Sequence, residues 1–333
     1  MQVIRILGFP ISLIYALVVH IRNYLFDIGF LKSIEFKTPT ICVGNLSVGG
    51  TGKTPMIEYL IYLLKKDYKI AVLSRGYGRK SKGFQLSSPD STVENLGDEP
   101  FQIHLKFPEI QIAVDADRQN GISILEESNR FDLILLDDAF QHRKVKPTSA
   151  ILLTSFDNLY VDDWYLPTGS LRDSKREAKR AAIIIVTKCP KNLSIIQQNE
   201  IIKKINPNKN QEVLFSFLAY DFNLKGQNES LTIKDLKTKK VTLVTGIANP
   251  EPLLEFLDEN QIGVDHLAYR DHHFFSNNEI ENFRSKEFIL TTEKDYVRLK
   301  GKIENLWYIA IEHKFFNNGD KILRKKIEQI TKK

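Results

Sequence analysis

The stretch TICVGNLSVGGTGKTPMIEYLIYLLKK (40–66) decides the fold, because it reads as a strand, a glycine-rich loop and a helix in direct succession. Thr40–Val43 is a short apolar run rich in β-branched residues, as in a strand. Pro55 suits a first helical turn, and the apolar residues 56–64 continue the helix. The glycines between these segments let backbone N–H groups close around phosphate oxygens. The stretch therefore predicts a phosphate-binding loop.

The loop meets the pattern of a glycine, four residues and Gly-Lys-Ser/Thr at every place but the first, where Ser47 stands. In this pattern the lysine reaches the β- and γ-phosphates, and the hydroxyl after it holds Mg²⁺. A glycine-rich turn in another α/β protein is the alternative reading of the loop alone. The predicted nucleotide-binding residues are Ser47, Val48, Gly49, Gly50, Thr51, Gly52, Lys53 and Thr54.

Size and composition indicate a globular protein with room for two domains. The chain has 333 residues, 42% of them hydrophobic and 26% charged, with a net charge of +6. This charge favours anionic lipid or phosphorylated ligands, but it is too weak and dispersed to predict nucleic-acid binding. Cys42 and Cys189 lie far apart on apolar runs, which predicts buried, reduced thiols rather than a disulfide or a metal site.

The N-terminal segment FPISLIYALVVHIRNYLFDIGF (9–30) is strongly apolar up to Val19 and is then interrupted by polar residues. A membrane-spanning helix needs about 20 predominantly apolar residues, so this run is too short. The segment instead predicts a helix in the membrane interface, with Arg5, Arg22 and Lys32 near lipid headgroups. The alternative is a helix packed on the protein's own sheet.

Further apolar runs alternate with helical stretches, which indicates a parallel sheet covered on both faces. We expect an α/β protein with a P-loop NTPase core and a mostly parallel sheet, a smaller C-terminal α/β domain and an N-terminal apolar helix. The predicted units are a membrane-associating segment (1–36), a P-loop kinase core (37–205), a hinge (206–240) and a C-terminal domain that closes on the active site (241–333). The apolar runs are 70–74, 109–114, 131–138, 150–154, 182–187, 241–247, 288–291 and 306–311.

The run FDLILLDDAFQH (131–142) ends in two acids, as strands that hold Mg²⁺ in phosphate-loop enzymes do. Asp137 and Asp138 are therefore predicted metal ligands. The sequence argues against a GTPase, because no glycine follows these acids at the switch position. In addition, VTKCP (186–190) has Pro190 where a guanine-reading aspartate would stand. A kinase or an ATPase is preferred.

Three further motifs carry candidate chemistry. GDEP (97–100) places Asp98 and Glu99 on a predicted loop, and a kinase acting on an alcohol needs a carboxylate beside the acceptor hydroxyl. YRDHHFF (269–275) has two histidines that suit orientation of a carboxylate better than a zinc site, since no cysteine lies nearby. The arginine- and lysine-rich run 171–180 is either a phosphate or lipid clamp or a solvated face.

Together these residues resemble the tetraacyldisaccharide 4′-kinase family, the lipid A 4′-kinases of Gram-negative bacteria. The matching pieces run in family order over most of the chain, and the N-terminal apolar segment also matches. They are GNLSVGGTGKTP (44–55), SRGYGR (74–79), GDEP (97–100), ADR (116–118), LDDAFQH (136–142), LPTGSLRD (166–173), VTK (186–188), DHH (271–273) and TEKD (292–295).

The resemblance implies transfer of the ATP γ-phosphoryl group, with Mg²⁺, to the 4′-hydroxyl of a tetraacyldisaccharide 1-phosphate. It implies an enzyme at the cytoplasmic face of the bacterial inner membrane, with no nucleic acid and no obligate protein partner. The implied catalytic residues are Asp98, His272 and Lys53, and the implied metal ligands are Thr54, Asp137, Asp138 and Glu99. The implied substrate contacts are Gln141, His142, Arg172, Arg118 and Tyr77.

One position departs from the family pattern, in which Glu-Pro often follows the arginine at 172. Asp173 and Ser174 stand there instead, so different local contacts are expected. Two alternative functions also fit the motifs. A phosphate-loop kinase for a soluble hydroxylated metabolite would need no apolar N-terminus. A membrane-associated nucleotide switch would hydrolyse ATP and yield no phosphorylated small product, and the missing switch glycine argues against it.

Overall fold

A computed structural model describes residues 8–226 and 231–331, which form two α/β units joined at more than one point. Arg5, one of the residues expected near lipid headgroups, lies outside the described residues. The strands are β1 (Thr40–Asn45), β2 (Ile70–Ser74), β3 (Gln85–Leu86), β4 (Gln111–Val114), β5 (Leu133–Asp137), β6 (Ser149–Ser155), β7 (Ile183–Thr187), β8 (Glu212–Tyr220), β9 (Asn223–Leu224), β10 (Leu231–Thr232), β11 (Val241–Thr245), β12 (Val264–Ala268), β13 (Phe288–Thr292), β14 (Leu306–Ile309) and β15 (Ile311–Phe315).

Helices connect most of these strands and cover the sheets. The α-helices are α1 (Phe9–Asp27), α2 (Lys53–Leu64), α3 (Val93–Leu96), α4 (Asp98–Lys106), α5 (Arg118–Glu127), α6 (Ile195–Ile205), α7 (Glu251–Glu259), α8 (Asn277–Arg284), α9 (Glu293–Leu299) and α10 (Gly319–Thr331). Two 3₁₀ helices span Lys175–Arg180 and Ile233–Thr238.

The larger sheet has nine strands in the order β15-β8-β7-β6-β1-β5-β2-β4-β3. The seven strands from β8 to β4 are parallel, and only the two edge strands are antiparallel. Because both faces are covered, β1, β2 and β5 are buried along their whole length. The predicted mostly parallel sheet is confirmed, and β1 lies near its centre between β5 and β6.

Alternate residues of the central strands enter apolar clusters on opposite faces of the sheet. On β1, Cys42 enters one cluster with Leu73 and Leu136, while Ile41 enters the other with Met56. Cys42 and Cys189 are both free and buried, as predicted. The strands thus form a rigid base whose carboxyl ends carry the polar motifs.

The smaller sheet is parallel, with the order β12-β11-β13-β14, and it has its own apolar clusters. The extent of the smaller unit differs from the predicted hinge (206–240) and C-terminal domain (241–333). The predicted hinge (206–240) contains β8, which pairs with β7 inside the larger sheet. The predicted last strand (306–311) divides at Ala310, after which β15 returns to the larger sheet and pairs with β8.

The return of the C-terminus has a simple physical reason. Without β15, the nine-residue β8 would present an open edge of unpaired backbone groups. Helix α10 then packs Leu323 and Ile327 into the cluster that also holds the helix after the phosphate loop. The C-terminal residues 311–331 therefore belong to the core unit, and the chain crosses between the two units twice.

Helix α1 is the exception to normal burial, since most of its apolar residues face away from the protein and only Val19 among them is buried. Leu13, Leu17 and Ile21 are between 50% and 60% exposed, whereas Ser12 and Asn23 are 3% and 4% exposed. By length and composition alone α1 could cross a membrane, contrary to the expectation that its apolar run is too short, and only 17% of its apolar window is buried. The alternative of a core helix is therefore wrong, because a core helix would bury its apolar face rather than its polar one.

The strand β1 and the segment after β5 approach closely at Gly44. A Cβ atom at this position would lie 2.5 Å from the Cβ of Phe140, which is itself 1% exposed. We predict that Gly44→Ala lowers the free energy of unfolding by about 1–3 kcal/mol, because neither backbone can move freely. Urea unfolding measures this change.

The matched control is Gly263→Ala, because a Cβ at Gly263 would meet no atom within 4 Å. Its free energy of unfolding should stay within about 0.5 kcal/mol of the wild type. Equal stability of both variants would contradict the close approach at Gly44.

Candidate active site

The phosphate loop lies between β1 and α2, and two of its glycines have positive φ angles, 113° at Gly49 and 84° at Gly52. Ser47, at the position of the usual first glycine, does not have a positive φ. Its hydroxyl donates to Asp163 Oδ2 at 3.0 Å. A serine is tolerated here because the backbone is ordinary and the buried hydroxyl has an acceptor.

Residues far from the phosphate loop in sequence hold it in place by hydrogen bonds to its backbone carbonyls. Thr187 Oγ1 donates to the carbonyl of Thr51 at 2.8 Å, and His313 Nε2 lies 3.1 Å from the carbonyl of Gly52. A carbonyl only accepts, so Nε2 carries the proton and Nδ1 accepts from the hydroxyl of Ser216 at 3.0 Å. Burial lowers the pKa of His313 to about 4, which keeps the ring neutral. The loop is therefore held by uncharged donors.

Asp137, at the end of β5, is 1% exposed and incompletely paired. Its Oδ2 accepts from Ser74 Oγ at 2.9 Å, while Oδ1 has no hydrogen-bond partner within the protein. Burial, and then the neighbouring Glu99 and Asp138 carboxylates, raise the pKa of Asp137 to about 7. A buried oxygen without a partner is costly, so this position favours a bound cation.

Asp138 is the charge on which the basic residues of the site converge. Its φ is 46°, and this turn directs the carboxylate away from Asp137 towards the loop lysine. Lys53 Nζ lies 3.7 Å from Oδ2, and Arg172 pairs with both carboxylate oxygens. Burial opposes the charged form of Asp138, but Lys53 and Arg172 outweigh it and hold its pKa below the ordinary value. Asn45 Oδ1 accepts from Arg172 at 2.5 Å.

The sequence predicts a loop at Asp98, but in the structure Asp98 is the first residue of helix α4. It follows Gly97, whose φ of 89° turns the chain into the helix. Oδ2 of Asp98 lies 3.1 Å from His272 Nδ1, and Arg298 pairs with both carboxylate oxygens. Burial would raise the pKa of Asp98, but hydrogen bonds and charge from Arg298, with help from His272, lower it below the ordinary value. Asp98 is therefore an ionised acceptor.

The neighbours of His272 decide which ring nitrogen carries its proton. Lys294 Nζ lies 2.9 Å from Nε2, and a lysine ammonium only donates. Nε2 therefore accepts, and Nδ1–H donates to Asp98 Oδ2, while Arg298 Nη2, which lies 3.1 Å from the same Nδ1, donates to the Asp98 carboxylate. Both His272 and Lys294 belong to the smaller unit, whereas Asp98 belongs to the larger one. The Asp98 carboxylate is therefore paired with residues of the other unit.

The other predicted residues lie at the same edge of the sheet, in different settings. Gln141 Nε2 donates to the carbonyl of Asn45 at 2.6 Å. Arg118 is 2% exposed and donates to the carbonyl of Asp115, so its reach is limited. The ring nitrogen Nε2 of His142 is buried without a partner, and burial, then Arg118, lowers its pKa. Tyr77 is 78% exposed beside the His272 ring, with the centroids 6.5 Å apart.

Sequence reasoning missed three residues of the site. Arg298 follows Lys294 by four residues on α9, so helical spacing after the TEKD motif could have placed it on the same face. Asn45 ends β1, and the rule that polar groups gather at strand ends would have included it. His313 had no sequence signal, because its contact with Gly52 depends on the return of β15 to the larger sheet.

A buried ion cluster braces the helices that carry Lys53 and Asp98. Lys106 Nζ on α4 lies 2.5 Å from Glu58 Oε2 on α2 and 3.0 Å from Glu293 on α9. Gln102 Nε2 donates to the other oxygen of Glu58 at 2.7 Å. One ammonium therefore joins two helices of the larger unit to the helix that bears Arg298.

The fold and the site define an ATP-dependent phosphate-loop kinase, with an acid pair at the end of β5 and a separate carboxylate, Asp98, at the start of α4. Comparison with known families agrees with this class. The family model described as tetraacyldisaccharide-1-P 4′-kinase (LpxK) matches residues 4–331. The chain belongs to this family.

Individual relatives match along almost the whole chain. A tetraacyldisaccharide 4′-kinase of Flavobacterium johnsoniae is 50% identical over 325 residues, which cover 96% of this chain and 95% of the relative. One from Bacteroides thetaiotaomicron is 46% identical over 87% of this chain and 82% of the relative. A crystal structure of LpxK from Aquifex aeolicus in complex with ATP has a TM-score of 0.82 and 30% identity, covering 98% of this chain and 99% of that one.

The ion cluster makes a prediction about stability and pH. Burial, and then Glu58, raise the pKa of Glu293 to about 7 from an ordinary value of 4.5. The folded state therefore binds more protons than the unfolded state in this window, and the stability contributed by Glu293 is full below pH 4.5 and lost as the pH rises through 7. The free energy of unfolding of Glu293→Gln, relative to that of the wild type, should therefore increase by up to about 3 kcal/mol as the pH rises from about 5 to 8.

Urea unfolding of both proteins across this pH range measures the difference. The control is Glu127→Gln, which changes an exposed glutamate on α5 and should give a difference that does not depend on pH. A flat difference for Glu293→Gln as well would contradict the raised pKa.

Proposed function

We propose that this protein transfers the γ-phosphoryl group of ATP to the 4′-hydroxyl of a tetraacyldisaccharide 1-phosphate, the phosphorylation step of lipid A synthesis. The observation that carries this proposal is the ionised Asp98, which His272 and Arg298 hold and which is followed by Glu99, whose charge acts on Asp137 at the end of β5. Membership of the tetraacyldisaccharide-1-P 4′-kinase family supports the choice of substrate. The names of the matching relatives give the same activity.

The proposed reaction is an in-line displacement that balances without further reactants. The 4′-oxygen forms a bond to the γ-phosphorus, and the bond between the γ-phosphorus and the β–γ bridging oxygen breaks to release ADP. The ionised Asp98 aligns the hydroxyl and accepts its proton. Nδ1–H of His272 and the Arg298 guanidinium fix the direction of the carboxylate, so that one oxygen faces the acceptor.

Lys53 and the loop amides from Ser47 to Thr54 bind the phosphates in this proposal. Arg172 is positioned to contact phosphate or substrate, because it already reaches across the loop to Asp138. Gln141, His142, Arg118 and Tyr77 surround the same edge and are proposed to contact the sugar and its 1-phosphate. Burial of Arg118 makes it the residue of this group that depends most on a local rearrangement.

The residues present fit a magnesium ion. The unpartnered Asp137 Oδ1 and the elevated pKa of this group match a carboxyl that awaits a cation. Within residues 8–226 and 231–331, no three His, Cys, Asp or Glu side chains converge into a complete metal site. Mg²⁺ in such enzymes takes one or two protein ligands and completes its shell with phosphate and water. We propose Thr54, Asp137, Asp138 and Glu99 as its surroundings.

A magnesium ion held by these residues would supply positive charge to neutralise the charge that develops on the phosphates. The protein supplies position and preorganised charge rather than a covalent intermediate. Asp98 and His272 come from different units and already lie 3.1 Å apart, so the pair has the geometry that the proposed reaction requires.

The reaction is tested by the transfer of label from γ-labelled ATP into lipid. Detergent-solubilised protein, Mg²⁺ and tetraacyldisaccharide 1-phosphate should give labelled lipid. Asp98→Ala should lower kcat by about 10²–10⁴-fold and leave the ATP dissociation constant within a few fold, because it removes the acceptor's base and not a phosphate contact.

The control is Asp265→Asn on the exposed β12, which should keep full activity. An equal loss of ATP binding and of turnover in Asp98→Ala would contradict the assigned role. Label released only as free phosphate by the wild type would favour the nucleotide-switch alternative, and transfer to soluble alcohols but not to this lipid would favour a metabolite kinase.

We place the protein at the cytoplasmic face of the bacterial inner membrane, held by α1. The outward apolar surface of α1 supports this placement, because a contiguous exposed apolar surface of this kind marks a contact with lipid or another apolar partner. Exposed Trp164 stacks edge-on against Phe9, with ring centroids 5.6 Å apart, and places an indole beside the same surface. ATP as the donor requires the cytoplasmic side.

The double variant Leu13→Gln/Leu17→Gln should reduce co-sedimentation with phospholipid vesicles tenfold or more, because each buried leucine contributes about 1.5–3 kcal/mol. The matched control is Ile195→Gln/Ile196→Gln, which changes two apolar residues that are at least as exposed, at the start of α6. Unchanged sedimentation of the α1 variant, or an equal loss in both variants, would show that α1 is not the membrane contact.

A further inference from the structure

The inward face of α1 is polar and is bonded to the two segments that carry Asp138 and Arg172. Asp173, next to Arg172, is completely buried. Its Oδ1 accepts from Asn23 Nδ2 at 2.8 Å, and its Oδ2 pairs with Arg22 Nη2 at 3.0 Å. A buried carboxylate with two charged or amide donors is strongly localised, since breaking one side leaves an uncompensated charge.

The backbone beside this carboxylate is held by the same helix. The hydroxyl of Tyr15 donates to the carbonyl of Arg172 at 3.1 Å. The backbone N–H of Arg172 donates to the carbonyl of Leu46, immediately before the phosphate loop. The Arg172 side chain then reaches Asp138 and Asn45. One residue therefore lies between α1 and the charged centre of the site.

A second connection reaches the segment after β5. Arg143 Nη1 donates to the carbonyl of Asn23 at 3.1 Å, and Nη2 pairs with Asp27 at 2.7 Å. The guanidinium also lies over the Phe26 ring, 5.1 Å from its centroid. Arg143 follows Gln141 and His142 directly, so the end of α1 also holds this stretch.

We infer that Asp173 is a positioning residue for phosphoryl transfer, through which the inward face of α1 sets the placement of Arg172. The helix thus has two separable roles: its outward apolar face contacts lipid, and its inward polar face holds the active-site arginine. This inference rests on the proposed function and deepens it. It also gives a reason for aspartate after Arg172, because its short side chain meets Asn23 and Arg22 in a fully buried space.

The test exchanges the two partners of the buried hydrogen bond. Asn23→Asp places a second carboxylate against Asp173, so Arg172 should lose its fixed position and kcat should fall at least tenfold. The KM for ATP and the sedimentation with vesicles should stay within a few fold of the wild type, because the phosphate loop and the outward face are unchanged. Asn23→Asp/Asp173→Asn restores a donor and an acceptor, and should recover most of kcat.

The matched control is Asn282→Asp, the same substitution at an exposed position of α8, which should keep wild-type kcat. Hydrogen exchange of a peptide covering residues 164–174 gives a readout that does not depend on activity. Exchange should accelerate in Asn23→Asp and return to the wild-type rate in the exchanged pair. If Asn23→Asp does not fold, Asn23→Ala removes one donor and leaves Arg22 to pair with Asp173.

Folded single variants with wild-type kcat and exchange would overturn the inference. A loss of kcat that the exchanged pair does not recover, in protein with unchanged exchange, would also overturn it. Failure of the proposed function would give a different result. The wild type would then transfer no label to the lipid, but hydrogen exchange in residues 164–174 would still accelerate in Asn23→Asp.

Discussion

The structure depends on how it accommodates several carboxylates at one edge of a parallel sheet. Asp137 and Asp138 are adjacent, and Glu99 adds a third negative charge that Asp137 senses. The protein resolves this repulsion asymmetrically. Asp138 turns towards Lys53 and Arg172 and stays ionised, whereas Asp137 is buried with one oxygen free and has a raised pKa. The asymmetry leaves one oxygen of Asp137 without a partner and pairs Lys53 and Arg172 with Asp138, as the proposed cation and phosphate sites require.

Around this centre, each group that we propose for phosphate binding or catalysis is supported by an element distant in the chain. The phosphate loop is held by His313 and Thr187, and Asp98 is held by Arg298 and His272. The buried Lys106 cluster joins the helices that carry these groups. Such support limits the freedom of side chains whose separation controls the reaction. It also makes the C-terminal strand β15 part of the active-site framework rather than an appendage.

Helix α1 reverses the usual relation between polarity and burial. Its polar residues are inside because they bond to Asp173, Thr168 and the carbonyl of Arg172, and its apolar residues are left for an apolar environment. A helix of this kind is attached to the protein by specific hydrogen bonds together with a few apolar contacts, such as buried Val19 and the Phe9–Trp164 pair. Its orientation relative to the site is therefore fixed more tightly than that of a flexible membrane anchor.

The sequence by itself determined the features that depend on local chemistry. The glycines and Lys53 after β1 predict the phosphate loop, and the apolar runs predict the parallel sheet. The family motifs predict that Asp98 and His272 act as a pair. Only the tertiary structure decided that β15 returns to the larger sheet, that Arg298 and His313 join the site, and that Asn23 meets Asp173. These contacts join residues 91 to 261 positions apart. Their formation depends on topology and burial, which short-range sequence patterns do not encode.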